Sequence, residues 1–448
     1  MKRWLTLSNI HFFLFLAVVA LIPFAMNLIS YTLALWFITG IVLYILQRKK
    51  VERPSLPLSA VFLGLFYLLV LAGIMISSDV KGALFDAQVK LSLFLMPVPV
   101  LLLGALYRQK RQHALLVFTL ANVIAVLVCI AVALFRSIHV GQGGLIFDPI
   151  VPGIYQDVNT APSTWFSYTD FSIFKHPAYF SMYLIFSLFI LVHFFSTRYQ
   201  AIRNIKVWYI LLILMALVLL AGVYFLRSKA GYISLFLLLC LTVLHFMIRK
   251  RRVLIPLALT ALIMGLAAFW IMNNSRFYYV RTAFENRSEF FRTIQEKDYR
   301  AMIDEYGIDR IPLWMTALEA GHEHALTGTG SGDVHQVLNE KFRQYNLFEL
   351  EAAHYNCHNQ FLETYLAGGI WGLLLLLSWL ISPLIRKKVR KPYSRLVPVF
   401  IGLLIINYLF ESMLNSFAGV IFTACFYTLL VIAGPDRESD HVNRLKEC

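Results

Sequence analysis

Residues 207–226 read VWYILLILMALVLLAGVYFL, residues 227–231 read RSKAG, residues 232–248 read YISLFLLLCLTVLHFMI, and residues 249–252 read RKRR. Each apolar run falls in the roughly 17–25-residue range that lets an α-helix cross the hydrocarbon core of a bilayer. A short turn joins the two runs, and consecutive cations close the second. Lysine and arginine collect on the cytoplasmic side of membrane helices. The RKRR end is therefore placed inside and the RSKAG turn outside. This hairpin sets both the solvent of the fold and its orientation.

Working outward, the same pattern recurs. The apolar runs lie at about 10–28, 30–46, 57–77, 88–106, 114–135, 177–196, 207–226, 232–248, 253–272, 360–384, 395–412 and 415–433. The 448 residues are 59% hydrophobic and 15% charged, with a mean hydropathy of +0.68. A soluble domain of this size cannot hide so much apolar surface. The alternation over about ten residues that marks a membrane β-strand is absent. The expected fold is an all-α integral membrane protein of about twelve transmembrane helices, with a large, partly helical outside loop between spans nine and ten. Residues 1–272 would carry spans one to nine, 273–357 the loop, 358–434 spans ten to twelve, and 435–448 a cytoplasmic tail. Met1-Lys2-Arg3 before an apolar stretch superficially resembles a signal peptide, but is taken as the start of an uncleaved first span.

The net charge of +15 would suggest nucleic acid in a soluble protein. Here its placement decides otherwise. The connections 47–56, 107–113, 197–206, 249–252 and 386–395 hold 20 Lys and Arg in 41 residues. The connections 78–86, 136–175 and 227–231 hold 5 in 54. That asymmetry reads as topology, with both termini cytoplasmic, membrane lipids as the surroundings and no nucleic-acid partner. Cys129, Cys240 and Cys425 lie in apolar runs, Cys448 is the last residue, and only Cys357 falls in an outside loop, so no disulfide framework is implied.

A structureless loop as long as 273–357 would be unusual, and its segments 276–296 and 310–324 have helical propensity. Short helices over the outer face are expected. The loop ends at His358-Asn359-Gln360-Phe361-Leu362-Glu363, followed by Gly368-Gly369-Ile370-Trp371-Gly372. A histidine at the start of a span can be neutral near physiological pH and act as a general base. The helix N-terminus disfavours its protonated form. An interfacial histidine that only hydrogen-bonds a neighbour fits the same residues. The glycines permit close approach of another helix.

In the turn Arg227-Ser228-Lys229-Ala230-Gly231, two cations lie outside, against the positive-inside tendency. A planar guanidinium there matches phosphate oxygens; snorkelling to headgroups is the plainer account. Arg310-Ile311-Pro312-Leu313-Trp314 leads towards Gly328-Thr329-Gly330-Ser331-Gly332. The glycine run lacks the Gly-Lys-Ser/Thr ending of a phosphate loop, so a tight turn approaching a ligand is expected. His176-Pro177 opens a span on the same outer surface as His358, and proline in a helix's first turn is structurally ordinary. His354, Cys357 and His358, with His322, His324 and His335, are too loosely spaced for a zinc site; neither metal nor cofactor is expected. Asn407, Glu411 and Asn415 form a polar seam if one helix runs through all three. Lys229, His176, Asn359 and Glu411 are candidate supporting residues.

Together these motifs resemble the O-antigen ligase/polymerase superfamily of bacterial envelope proteins. The likeness rests on the His-Pro start of a span, an outside Arg-Ser turn, and a long loop with Arg-x3-Trp and a glycine turn. It ends in His358-Asn359 with Gly369 and Gly372 at the spacing of the family's signature. The resemblance implies a metal-independent, membrane-embedded glycosyltransferase of the bacterial inner (cytoplasmic) membrane. It would move a glycan from an undecaprenyl-diphosphate carrier onto an acceptor hydroxyl at the periplasmic face. The acceptor would be lipid A-core, a growing glycan or a protein. By that match His358 corresponds to the base, and Arg227 and Arg310 to the arginines that hold the diphosphate. Leu373 follows Gly372 where a ligase often has threonine, which leaves a polymerase open. Displacement in one step would invert the anomeric configuration. A transporter of lipid-linked sugar is the competing class; it would tend to show inverted repeats and broken spans, and neither is evident in the sequence. A protein-binding loop is a third possibility.

Overall fold

The computed structural model describes residues 6–24, 26–49, 56–141, 144–152, 163–202, 206–248, 278–306, 309–385 and 395–434, with isolated residues between 258 and 273. The expected span at 253–272 lies almost wholly outside the described residues, as do the cations 249–252 and the tail 435–448. Among the described residues six helices are long and apolar enough to cross a membrane: Asn27–Gln47, the segmented Val80–Leu102, Gly104–Ser137, Pro177–Ser196, Val207–Leu226 and Gln360–Ile385. Shorter apolar helices accompany them at Leu7–Leu21, Leu58–Gly73, Lys229–Leu241, Leu396–Phe410 and Phe417–Ile432.

In chain order the helices are α1 (Leu7–Leu21), α2 (Met26–Gln47), α3 (Leu58–Gly73), α4 (Val80–Lys90), α5 (Ser92–Leu95), α6 (Pro97–Leu102), α7 (Gly104–Ser137), α8 (Tyr168–Phe171), α9 (Pro177–Ile202), α10 (Lys206–Leu226) and α11 (Lys229–Ile248). The long loop contributes α12 (Tyr278–Glu285), α13 (Arg287–Gln295), α14 (Tyr299–Asp304), α15 (Arg310–Glu323), α16 (Val334–Gln344) and α17 (Phe348–Ala352). The chain closes with α18 (Gln360–Ile385), α19 (Leu396–Phe410) and α20 (Phe417–Tyr427). A small antiparallel hairpin pairs Ile138–Gly141 with Gly144–Phe147 in the 136–175 connection.

Three boundaries differ from the sequence reading. The connection expected at 107–113 is part of α7, a 34-residue helix. At about 1.5 Å per residue it is far longer than a ~30 Å hydrocarbon core requires. Its basic first turns have a specific task. Arg108 donates to the Ala433 carbonyl at 3.2 Å and Arg111 to the Gly434 carbonyl at 2.6 Å, satisfying backbone acceptors where the last helix ends. The turn expected at 78–86 is instead mostly α4, whose start is capped by Asp79 accepting from the Gly82 amide at 2.9 Å. The segment Val80–Leu102 is then broken into short helices, with Pro97 and Pro99 unable to donate into a ladder. The polar seam through Asn407, Glu411 and Asn415 does not form, because α19 stops at Phe410 and Glu411 is extended at φ −150°.

Two cores hold the described structure together. In the bundle, phenylalanines of α7, α9, α19 and α20 interlock: Phe118 and Phe426 centroids lie 4.5 Å apart, Phe186 and Phe426 4.9 Å, Phe400 and Phe422 5.8 Å. Between lipid-facing helices such close packing, not exclusion of water, supplies the attraction. The second core belongs to the loop. Leu313, Ala317 and Ala320 recur on one face of α15 and meet Leu338 and Phe342 of α16, with Leu347, Leu350, Cys357 and Leu366. On an aqueous face, burying each large side chain contributes about 1.5–3 kcal/mol.

The loop is joined to the bundle through backbone. Inside α18, Gly369 has φ +61° and ψ −160°, so the helix is interrupted. The freed groups find partners in the glycine turn. The Thr329 amide donates to the Leu366 carbonyl at 2.9 Å, the Gly330 amide to Ala367 at 2.9 Å, and the Ile370 amide to Ala325 at 2.8 Å. A Cβ on Gly328 would lie 2.4 Å from the Ala367 carbonyl oxygen, and one on Gly369 2.7 Å from that of Leu326. Asp333 adds two bonds, accepting from the Ser78 and Asp79 amides at 2.7 and 2.8 Å. The glycine turn expected to approach a ligand thus approaches the protein's own helix.

Candidate functional site

The site begins at the loop's end. Residues Asn356-Cys357-His358-Asn359 fold as two successive side-chain turns. Asn356 Oδ1 accepts from the His358 amide at 2.8 Å, and Asn359 Oδ1 accepts from the Phe361 and Leu362 amides at 2.9 and 3.2 Å. Asn359 therefore caps α18. The Cys357 amide donates to Glu363 Oε2 at 3.0 Å. This cage holds His358 at φ +44°, a conformation that costs a non-glycine residue about 1–2 kcal/mol.

The His358 ring meets Glu411. Its Nδ1 lies 2.8 Å from Glu411 Oε2. A carboxylate acceptor assigns the hydrogen to Nδ1 and leaves Nε2 as the basic nitrogen. Tyr355 stands edge-on to the ring, 5.2 Å between centroids. Arg310, the first residue of α15, binds the other carboxylate oxygen, with Nη2 2.9 Å from Oε1. Its Nη1 donates to the His358 carbonyl at 3.3 Å and also to the Phe410 carbonyl at the end of α19. Glu411 thus joins three distant parts of the chain: the loop interior, the loop's end and the end of α19. Burial alone would push the Glu411 carboxyl up. The hydrogen bond and charge of His358 and the Arg310 guanidinium outweigh it and hold Glu411 below the usual carboxylate range.

Why α19 ends where it does follows from the next turn. Glu363, buried on α18, accepts from Ser412 Oγ at 3.1 Å and Asn415 Nδ2 at 2.7 Å. Gln360 Oε1 accepts the Leu414 amide. These bonds pull residues 412–415 into a tight turn and leave Glu411 extended towards His358.

His176 sits on the same face, at the start of α9. Burial lowers its pKa first; Glu411 acts to raise it, and the His358 and Arg310 charges lower it further. Arg227 occupies the turn between α10 and α11, at φ +46° and half-buried. Among the described residues its guanidinium has no ion pair or hydrogen bond, with His358 and Arg310 included. Lys229 is exposed at the start of α11. The geometry therefore unites His358, Arg310 and Glu411, puts Asn359 beneath them as a cap, and leaves Arg227 and Lys229 in a separate turn.

The sequence reading understated Glu411, because a helix continued through residue 415 would bury it in a seam. It also missed Glu363 and Asn356. The Asx-turn spacing around His358 was the available signal. The histidines considered for zinc are dispersed: His322 packs edge-on to Tyr365 at 6.2 Å and His354 is exposed. Among the described residues no three His, Cys, Asp or Glu side chains converge as a metal would need.

Residues 214–377 match the family described as O-antigen ligase. The match bears out the resemblance to the O-antigen ligase/polymerase superfamily. It takes in Arg227, Lys229, Arg310, His358 and Asn359, begins after His176 and ends before Glu411. No curated protein matches the chain.

Proposed function

We propose that the chain is a glycan transferase of the bacterial inner membrane, with both termini cytoplasmic and its site at the periplasmic face. Its twelve-span bundle would take a glycan from undecaprenyl diphosphate and join it to an acceptor hydroxyl of lipid A-core, a growing glycan or a protein. The observation that carries this reading is the His358–Glu411–Arg310 cluster at the junction of loop and bundle.

In this mechanism His358 Nε2 takes the acceptor's hydroxyl proton as that oxygen attacks the anomeric carbon. Glu411 fixes the imidazole's tautomer and stabilises the imidazolium as it forms. The bond from the anomeric carbon to the diphosphate oxygen breaks, and the electron pair leaves with the diphosphate. Arginine stabilises that developing charge. The two arginines have unequal parts. Arg227, with no ion pair or hydrogen bond among the described residues, would bind phosphate oxygens in bidentate fashion. Arg310 is largely engaged with Glu411 and two carbonyls, so it positions the base and offers the leaving group only its remaining N–H groups. His176, Lys229 and Asn359 support: Asn359 by capping α18 beneath the base, the other two from the surrounding outer face.

A broken span is also what transporters use at mid-membrane, and α18 is broken at Gly369. Three of the freed backbone groups, at Leu366, Ala367 and Ile370, bond to residues 325–330 and so are turned to the protein's own loop, which favours transfer over transport.

Purified protein in vesicles, supplied with carrier-linked glycan, tests the reading. His358→Ala abolishes transfer and Arg227→Ala weakens it through the donor KM, while each protein still accumulates in the membrane. Longer glycan on the carrier identifies a polymerase; glycan on lipid A-core or protein identifies a ligase. Retained anomeric configuration rules out the single displacement. Carrier movement across the vesicle without a new glycosidic bond rules out the transferase.

A further inference from the structure

Beside His176 lies a pocket of about 250 Å³ that the mechanism above does not use. Its walls come from Ser172, Lys175, His176 and Tyr179 on one side and Ser416 and Ala418 on the other. These residues lie at the starts of two helices, α9 and α20. Ser416 caps α20, its Oγ accepting from the Ala418 amide at 3.3 Å. Two helix N-termini, each carrying partial positive charge, thus border one cavity.

Lys175 supplies the independent observation. It is 5% exposed, and among the described residues its Nζ has no hydrogen-bond partner. A buried ammonium without partner or counter-ion is costly, and among the described residues no carboxylate pairs with it. Glu411 faces His176 and Tyr179 but is held by His358 and Arg310. Burial alone lowers the Lys175 amine to about 8. An anion entering the pocket would give the buried ammonium the partner it lacks among the described residues.

We propose that this pocket is an anion site for a phosphate group, in which Lys175 and the starts of α9 and α20 bind the phosphate oxygens. Resting on the transferase reading, the phosphate is that of the lipid carrier, and Lys175 is a further donor-binding residue. A phospholipid headgroup offers the same chemistry and is the other source to be distinguished.

The full-length protein in zwitterionic nanodiscs is titrated with undecaprenyl diphosphate, with undecaprenol and with inorganic pyrophosphate, and separately placed in phosphatidylglycerol nanodiscs. Affinity and Tm are read for the unaltered protein, Lys175→Met and His358→Ala. Expected is at least a tenfold loss of diphosphate affinity in Lys175→Met, with undecaprenol binding unchanged and pyrophosphate competing. Without ligand, Lys175→Met melts higher than the unaltered protein, because an unpartnered buried charge is gone; misfolding would lower it. His358→Ala keeps the Lys175-dependent binding although it cannot transfer. A Tm rise in phosphatidylglycerol that needs Lys175 and blocks the carrier assigns the site to a headgroup and overturns the donor role. Equal binding of every phosphate probe by Lys175→Met overturns the site. Loss of transfer activity throughout, with Lys175-dependent binding intact, refutes the transferase reading and leaves the site standing.

Discussion

Glu411 and Glu319 are both carboxylates that gather several donors, and the contrast between them separates chemistry from scaffolding. Glu319, on α15, accepts from Lys297 Nζ at 2.6 Å, Tyr299 Oη at 3.3 Å and Tyr345 Oη at 2.7 Å. Its side chain is 22% exposed and that of Glu411 12%. In both, burial opposes ionisation and the donors override it, so both lie below the usual carboxylate range. Neither burial nor the direction of the shift tells them apart. The partners do. Burial, first, and Glu319 push Tyr299 and Tyr345 up; the hydrogen bond and charge of Glu319 do the same to Lys297. All three are thereby locked in their protonated forms, and the cluster is a clasp between α14, α15 and α16. Glu411 instead holds a histidine by one nitrogen and leaves the other for the proton transfer proposed above.

The strongest test of that contrast is the paired substitution. Glu411→Gln should lower kcat by about 10²-fold or more, the scale of general-base catalysis, whereas Glu319→Gln leaves it within about twofold. Initial rates of glycan transfer in vesicles decide. Combined with His358→Ala, Glu411→Gln should add little further loss, since the two act as a unit.

The joint between the two regions comes next. Gly369→Ala should destabilise by about 1–3 kcal/mol through its positive φ and its clash with the Leu326 carbonyl, read as a lower Tm in detergent. If Tm is unchanged, the backbone joint does not hold the loop.

The arginines sharpen the comparison at a smaller scale. Arg227→Ala should raise the donor KM by about tenfold, roughly 1.4 kcal/mol. Arg310→Lys should act mainly on kcat, because a point charge cannot span Glu411 and two carbonyls. A shift confined to KM in Arg310→Lys would contradict its positioning role.

The smallest effect is one the two carboxylates share. A depressed carboxylate stabilises the fold fully above its unfolded pKa, and that contribution is lost as pH falls through its lower folded value. Both Glu411→Gln and Glu319→Gln should therefore flatten the loss of Tm on acidification below about pH 4.5. Acid stability will not distinguish them, although activity will.

Much of this was legible in the sequence for a physical reason. Apolar length reports the lipid solvent directly, so the runs on either side of RSKAG mark α10 and α11 well. Hydropathy is blind to where a helix pauses. It carried a helix through Glu411 and Asn415, although Glu363 and Gln360, some fifty residues earlier, pull that turn away. It likewise split α7 at Arg108 and Arg111, whose partners are the carbonyls at 433 and 434. His358, Arg310 and Arg227 were found through motif spacing. Lys175 was not, because an unpaired buried cation is a property of surroundings that no local pattern records.

The glycine joint also bears on how this protein can be rebuilt. Its contacts run from main chain to main chain, so the specification is written in torsion angles and clearances rather than in side-chain identity. An outer segment of foreign sequence could be grafted at Gly328–Gly330 and Gly369 if it reproduced those backbone positions. The proposed base, His358, would then travel with that segment as one exchangeable cassette, while Arg310, which precedes Gly328, and Glu411 wait in the recipient.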